Sequence, residues 1–200
     1  MTIKEFEQLD EIMQNDLAKD ILAMQCPGVF IFKGKPMQVK SGFSSLTWGQ
    51  WLTLSSICSQ PRFDVELIKH LILIFHYKEL TDSIFNMDDY ESDLTLIESI
   101  DALLAYPITK YYLGLVIEKQ KEINENISLP YLEADIDAGI KELETFGNIG
   151  TLIEYAQAFG IKQYSKVLNL SFNEVYVYLW RETVKEKINR RKHEIYNKQK

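Results

Sequence analysis

The apolar positions of this chain follow a helical period, interrupted once by a short alternating stretch. Near the start Ile3, Phe6, Leu9, Ile12 and Met13 recur at three- and four-residue spacing, which predicts a helix. Asn15-Asp16 is a candidate cap for a second piece carrying Leu17, Ile21, Leu22 and Met24. Cys26-Pro27-Gly28 then breaks the pattern. In "VFIFKGKPMQVK", residues 29–40, a β-branched and aromatic run precedes a Lys33-Gly34-Lys35-Pro36 turn and a second short run, which predicts a β-hairpin. A lone hairpin is marginal in water, so it must lie on helices of its own chain or on another subunit.

The helical period returns after residue 44. Thr47 and Gln50 have the spacing of a capping box, and Leu46 and Trp51 occupy the two staple positions around it. The same grammar recurs as Leu170, Ser171, Glu174 and Val175. The flanks differ, so the likeness reads as shared helix-start physics and not as an internal repeat. Residues 63–78 are apolar on most sides and read as the central helix. An acidic connection, "NMDDYESD", follows at 86–93. Leu94, Ile97, Asp101 and Leu104 carry a helix to Pro107, where a kink or break is expected. A long helix continues to about Asn126, and another is expected over 131–145, with Gly147 and Gly150 as punctuation. "TLIEYAQAFG" is a short helix closed by Gly160 at the C′ position. The last helix starts at Ser171, with an apolar stripe of Val177, Trp180, Val184, Ile188 and Ile195. The pattern predicts a mainly α fold: a multi-helix bundle in a single domain, residues 1–200, with one short hairpin at about 29–40 and a projecting basic helix at about 171–198.

Composition adjusts this picture little. Nine glycines and five prolines in 200 residues favour long helices over a turn-rich β fold. The longest apolar runs fall far short of the roughly 20 residues that cross a bilayer, so no membrane contact is expected. The acidic, amphipathic N-terminus does not read as a secretory signal. Charge is more informative. The net −7 is split: eight basic and three acidic residues from Arg181 to Lys200 give +5, which leaves −12 on the 180 residues before them. Arg181, Lys185, Lys187, Arg190, Arg191 and Lys192 are therefore candidate contact residues. Two readings are open: a solvated helix end, or contact with an acidic neighbour or with nucleic-acid phosphate, the latter independent of sequence and sensitive to salt.

Catalytic patterns are missing. His70, His76 and His193 have no partners at metal-ligand spacing, and Cys26 and Cys58 have neither metal nor redox spacing. The two cysteines read as reduced, partly buried thiols. Phosphate-binding glycine loops and nucleophile elbows do not occur. Asp88, Asp89, Glu91 and Asp93 lack the glycine and the terminal glutamate of a calcium loop, and Asp135 and Asp137 fail the same test. The expectation is a non-enzymatic chain with no metal and no cofactor. Trp48 and Trp51, three residues apart, share a helix face and read as core or as an interface hot spot. With Phe30 and Phe32 of the hairpin and Trp180 of the last helix, they are the candidate partner contacts.

The order of parts carries a resemblance. A helical start, "FIFKGKPMQV", "LTWGQWLTL", "IFHYKEL", an acidic "MDDY" and "ALLAYPITKYYLGLVIE" together resemble small, mostly helical morphogenesis proteins of tailed bacteriophages. "YAQAFGIKQYSKVLNLSFNEVYVYLWRETVKEK" is similar to the C-terminal region of tail-assembly-chaperone-like proteins. The resemblance implies a virion component in a connector or tail ring, found in host cytoplasm during assembly. Its partners would be copies of itself and neighbouring portal, connector or tail proteins, with non-specific DNA contact through the basic tail. The alternative it implies is a tail assembly chaperone absent from the mature particle. It transfers no catalytic residue.

Overall fold

A computed structural model of the protein describes residues 1–9, 13–14, 23–59 and 63–198. The expected second N-terminal helical piece, with its Asn15-Asp16 cap and Leu17 to Leu22, lies outside the described residues, as do Ile12 and Lys200. Contacts gather the chain into two compact units: Met1–Leu46 with Gln50–Glu118, and Thr47–Gly49 with Lys119–Lys200.

The first unit holds the hairpin. β1 (Val29–Phe32) pairs antiparallel with β2 (Lys35–Gln38), with Phe30 opposite Met37 and Ile31 opposite Pro36. Lys33 and Gly34 both have positive φ, 47° and 78°, so the two-residue loop twists with the strands as a hairpin requires. In that register Ile31 and Pro36 form a pair without ladder hydrogen bonds, so the missing proline N–H removes none. Phe30, Phe32 and Met37 are buried, while Val29 and Ile31 face outward.

The core of this unit forms around α3 (Val65–Phe75), which follows α1 (Ile3–Glu7) and α2 (Trp48–Ile57) in the chain. Asp64 caps α3 by accepting from the Leu67 N–H at 3.0 Å. Leu67, Ile68, Leu71, Ile72, Leu73, Ile74 and Phe75 are all buried, as the apolar period predicts. Lys69 is buried too, and its ammonium is held by Glu7 and Glu66 at 2.9 and 3.2 Å. A break at His76 leads to α4 (Tyr77–Thr81), then α5 (Met87–Asp93) and a 3-10 turn at Leu94–Ser99. α6 (Ala102–Ile127) follows and brings Tyr112 flat onto Phe75, with ring centroids 4.0 Å apart.

Two features here depart from the sequence expectation. The break falls at Ile100–Asp101, not at Pro107: Ile100 is extended and the Asp101 carboxylate accepts from the Leu103 N–H at 3.0 Å as the new helix begins. Pro107 then sits inside an uninterrupted α6. The carbonyl that would have received its N–H belongs to Leu103, an exposed residue on the outer side of the helix.

In the second unit the expected helix at 131–145 is broken. Its pieces are α7 (Glu133–Asp137) and a 3-10 run at Ile140–Phe146, separated at Gly139, whose φ of 84° no helix accommodates. α8 (Gly147–Ala158) ends as predicted at Gly160, with φ 66°. The Ile161 N–H donates to the Ala156 carbonyl and the Gly160 N–H to that of Gln157, the paired bonds of a Schellman motif. A 3-10 turn at Tyr164–Asn169 leads into α9 (Phe172–Lys198).

Each unit contains one pair of helix starts joined through their backbones. Thr2 bridges antiparallel to Asp101, with the Ile3 N–H on the Ile100 carbonyl and the Ala102 N–H on the Met1 carbonyl, both at 2.8 Å. Thr47 bridges antiparallel to Ser171, with the Trp48 N–H on the Leu170 carbonyl at 2.8 Å. The first N–H groups of a helix have no partner inside it, and here the chain entering a second helix supplies one. The two look-alike motifs "LTWGQW" and "LSFNEV" are thus hydrogen-bonded to each other.

Candidate protein-interaction surface

α9 has two faces with different fates. The inner face carries Phe172, Val175, Tyr176 and Thr183, all buried. Its polar contacts recur every seven residues. Tyr176 Oη donates to Glu122 Oε1 at 2.8 Å and accepts from Asn126. Thr183 Oγ1 lies 3.2 Å from the Ile127 carbonyl, and Arg190 donates to the Pro130 carbonyl at 2.7 Å. The helix is therefore tied down as far as Arg190, and residues 191–198 are exposed.

The stripe read from sequence lies on the other face. Val177, Trp180, Val184, Ile188 and Ile195 are between 40% and 57% exposed. They span about 80° of the helix circumference. Between Val177 and Lys198 the charged residues inside or bordering that arc are basic, with the single exception of Glu194 at one edge. Of the six basic residues singled out above, Arg190 turns inward and Lys185 pairs with Glu182 at 2.6 Å. Arg181, Lys187, Arg191 and Lys192 have no ion pair among the described residues. Glu182 and Glu186 lie away from the stripe and are held by Lys185 and Arg190.

A ladder of rings joins this surface to the fold. Trp48 stacks on Phe172 with centroids 5.9 Å apart, Phe172 on Tyr176 at 5.7 Å, and Tyr176 on Trp180 at 6.1 Å. Trp48 is buried at one end and Trp180 is exposed at the other. The i, i+4 spacing of Phe172, Tyr176 and Trp180 was available in the sequence as a signal for this ladder. Trp51 is not part of it: that ring packs edge-on against Phe43 at 5.4 Å in the first unit. Of the five aromatic contact candidates, Trp48, Trp51, Phe30 and Phe32 are buried within the chain, and Trp180 is the one at the surface.

The other candidate chemistry is accounted for structurally. The acidic stretch at 86–93 is α5 with its cap, where Asn86 accepts from the Asp88 N–H and donates to Asp89. No group of three or more metal-ligating side chains converges among the described residues. Cys26 and Cys58 are free thiols, and burial pushes Cys58 up to about 11. His76 is neutral: burial pushes it down to about 4, and Nε2 lies 2.6 Å from Tyr112 Oη. A cavity of about 500 Å³ lies beside the hairpin, lined by Phe32, Met37, Leu80, His76 and three lysines, of which Lys40 is paired with Glu79. No described helix is long and apolar enough to cross a membrane. Compared with known proteins, the chain matches no family model, no curated protein and no solved structure.

Proposed function

We propose that this chain is a non-enzymatic structural subunit of a tailed-phage virion, seated in a connector or tail ring and acting through protein–protein contacts. One structural observation supports the reading most: the outer face of α9, where five large apolar side chains stand exposed beside Arg181, Lys187, Arg191 and Lys192, which have no ion pair among the described residues. An apolar stripe of this length left in water is characteristic of a surface awaiting a protein neighbour. The resemblance of the chain to phage morphogenesis proteins supplies the context. In this reading the neighbours are further copies of the chain and adjoining portal, connector or tail proteins. Any contact of the basic tail with DNA is non-specific and falls steeply with salt.

The alternative is a tail assembly chaperone, missing from the mature particle. The same open stripe favours it, since a helical client would fit there. Quantitative mass spectrometry of purified particles separates the two. Presence in several copies per particle is the outcome expected. Absence from particles, with abundance in infected cells, would replace the structural reading with the chaperone.

A further inference from the structure

We infer that the outer face of α9 is half of a coiled coil, and that its occupant is an acidic amphipathic helix. The inference rests on the proposed protein-contact role and adds the chemistry of the partner. The apolar positions advance by three, four, four and seven residues: Val177, Trp180 and Val184 fit one heptad frame, and Ile188 and Ile195 continue the seam after a one-residue shift. Their narrow arc is that of a two-helix seam, whereas a helix that lies in a membrane surface has a broad apolar face. Four of the five are valine or isoleucine, which pack well as knobs on such a seam.

The borders of the seam decide the partner. Arg181 and Lys192 flank one side, Lys187 flanks the other with Glu194 beyond it, and Arg191 lies on the seam itself, so cations outnumber the one carboxylate. Inner-face bonds take none of these four. A second α9 would bring the same cations against them, and like charges at these positions oppose pairing. A helix with apolar a and d positions and glutamates at e and g meets both the stripe and its border. The site is also held in place before binding as far as Arg190, because Tyr176, Thr183 and Arg190 tie the inner face every seventh residue. Little conformational freedom of α9 remains to be lost on docking.

The test uses the full chain and a synthetic helical peptide of about four heptads, with leucine at a and d and glutamate at e and g. Calorimetry gives affinity, and acrylamide quenching reports Trp180, since Trp48 and Trp51 are already buried. The glutamate peptide should bind and protect Trp180, and affinity should fall about tenfold between low and high salt as the pairs made by the three flanking cations and Arg191 are screened. Val184→Asp, on the exposed face, should abolish binding while leaving the circular dichroism unchanged. The double variant Arg191→Glu/Lys192→Glu should switch preference to a peptide with lysine at e and g. Equal binding of both peptides to the wild type, or binding only to anionic vesicles or to duplex DNA, would overturn the inference. Particle composition is read separately, so a virion protein that ignores the peptide would refute the seam and leave the virion reading in place.

Discussion

His76 offers the most direct check on the core. Its ring is 1% exposed, with Nε2 at 2.6 Å from Tyr112 Oη, and that oxygen also accepts from the Lys40 N–H at 3.0 Å. A phenol already accepting an N–H directs its own proton to the imidazole, so Nε2 accepts and the ring proton sits on Nδ1. Burial pushes His76 down from 6.5 to about 4, with Glu79 opposing and Lys40 reinforcing the shift. The folded group therefore holds its proton more weakly than the unfolded chain does. Stability is intact above pH 6.5 and is lost as pH falls towards 4. Between pH 7 and pH 5 this unequal protonation amounts to about 2 kcal/mol. His76→Gln keeps a polar side chain at the site but cannot titrate. Urea unfolding at the two pH values should show the wild type losing about 2 kcal/mol more than the variant. His70 is also lowered by burial, but it is present in both proteins and cancels. Equal losses in the two proteins would refute a buried neutral imidazole.

Substitutions at two other positions probe the joint between the helix starts. A Cβ on Gly49 would meet the Leu168 carbonyl oxygen at 3.1 Å and its Cβ at 3.3 Å. Glycine to alanine in an open helix stabilises by about 1 kcal/mol, but Gly49→Ala should instead destabilise by about 1–3 kcal/mol, and a raised melting temperature would contradict the close approach. Trp48 has an indole N–H buried without a hydrogen-bond partner among the described residues. Trp48→Phe keeps an aromatic ring facing Phe172 and removes that N–H, so denaturant unfolding should place it within about 1 kcal/mol of wild type. Trp48→Ala should cost about 3–5 kcal/mol, and equal losses for the two variants would show that the ring contributes nothing.

Features that depend on neighbouring residues were legible in the sequence. The hairpin follows from Val29–Phe32 and the turn residues after it, although Lys35 and Pro36, read as part of the turn, open the second strand; the central helix follows from the run ending at Phe75, and the end of α8 from Gly160. Features that depend on distant partners were not. The bridges Thr2–Asp101 and Thr47–Ser171 are backbone hydrogen bonds across long stretches of chain and leave no periodic trace. Pro107 looks like a terminator because propensity ignores solvent, yet the carbonyl it deprives belongs to an exposed residue. In the stretch 131–145 the helical signal outweighed a single glycine, and the left-handed φ of Gly139 is set by how the segment folds back.

The face of α9 was ambiguous for a different reason. Phe172, Val175, Tyr176 and Thr183 form one stripe, and Val177, Trp180, Val184 and Ile188 form another; a wheel alone does not say which is buried. Burial went to the face that also satisfies polar partners. Tyr176, Thr183 and Arg190 find Glu122, Ile127 and Pro130, whereas the second stripe is bordered by cations that no inner neighbour balances. Burying those cations unpaired would oppose folding far more than the exposed valines and isoleucines do. The exposed stripe is thus a consequence of its charged borders. A partner that neutralises those borders removes the obstacle, which is why the surface selects for an acidic helix and not for apolar contact in general.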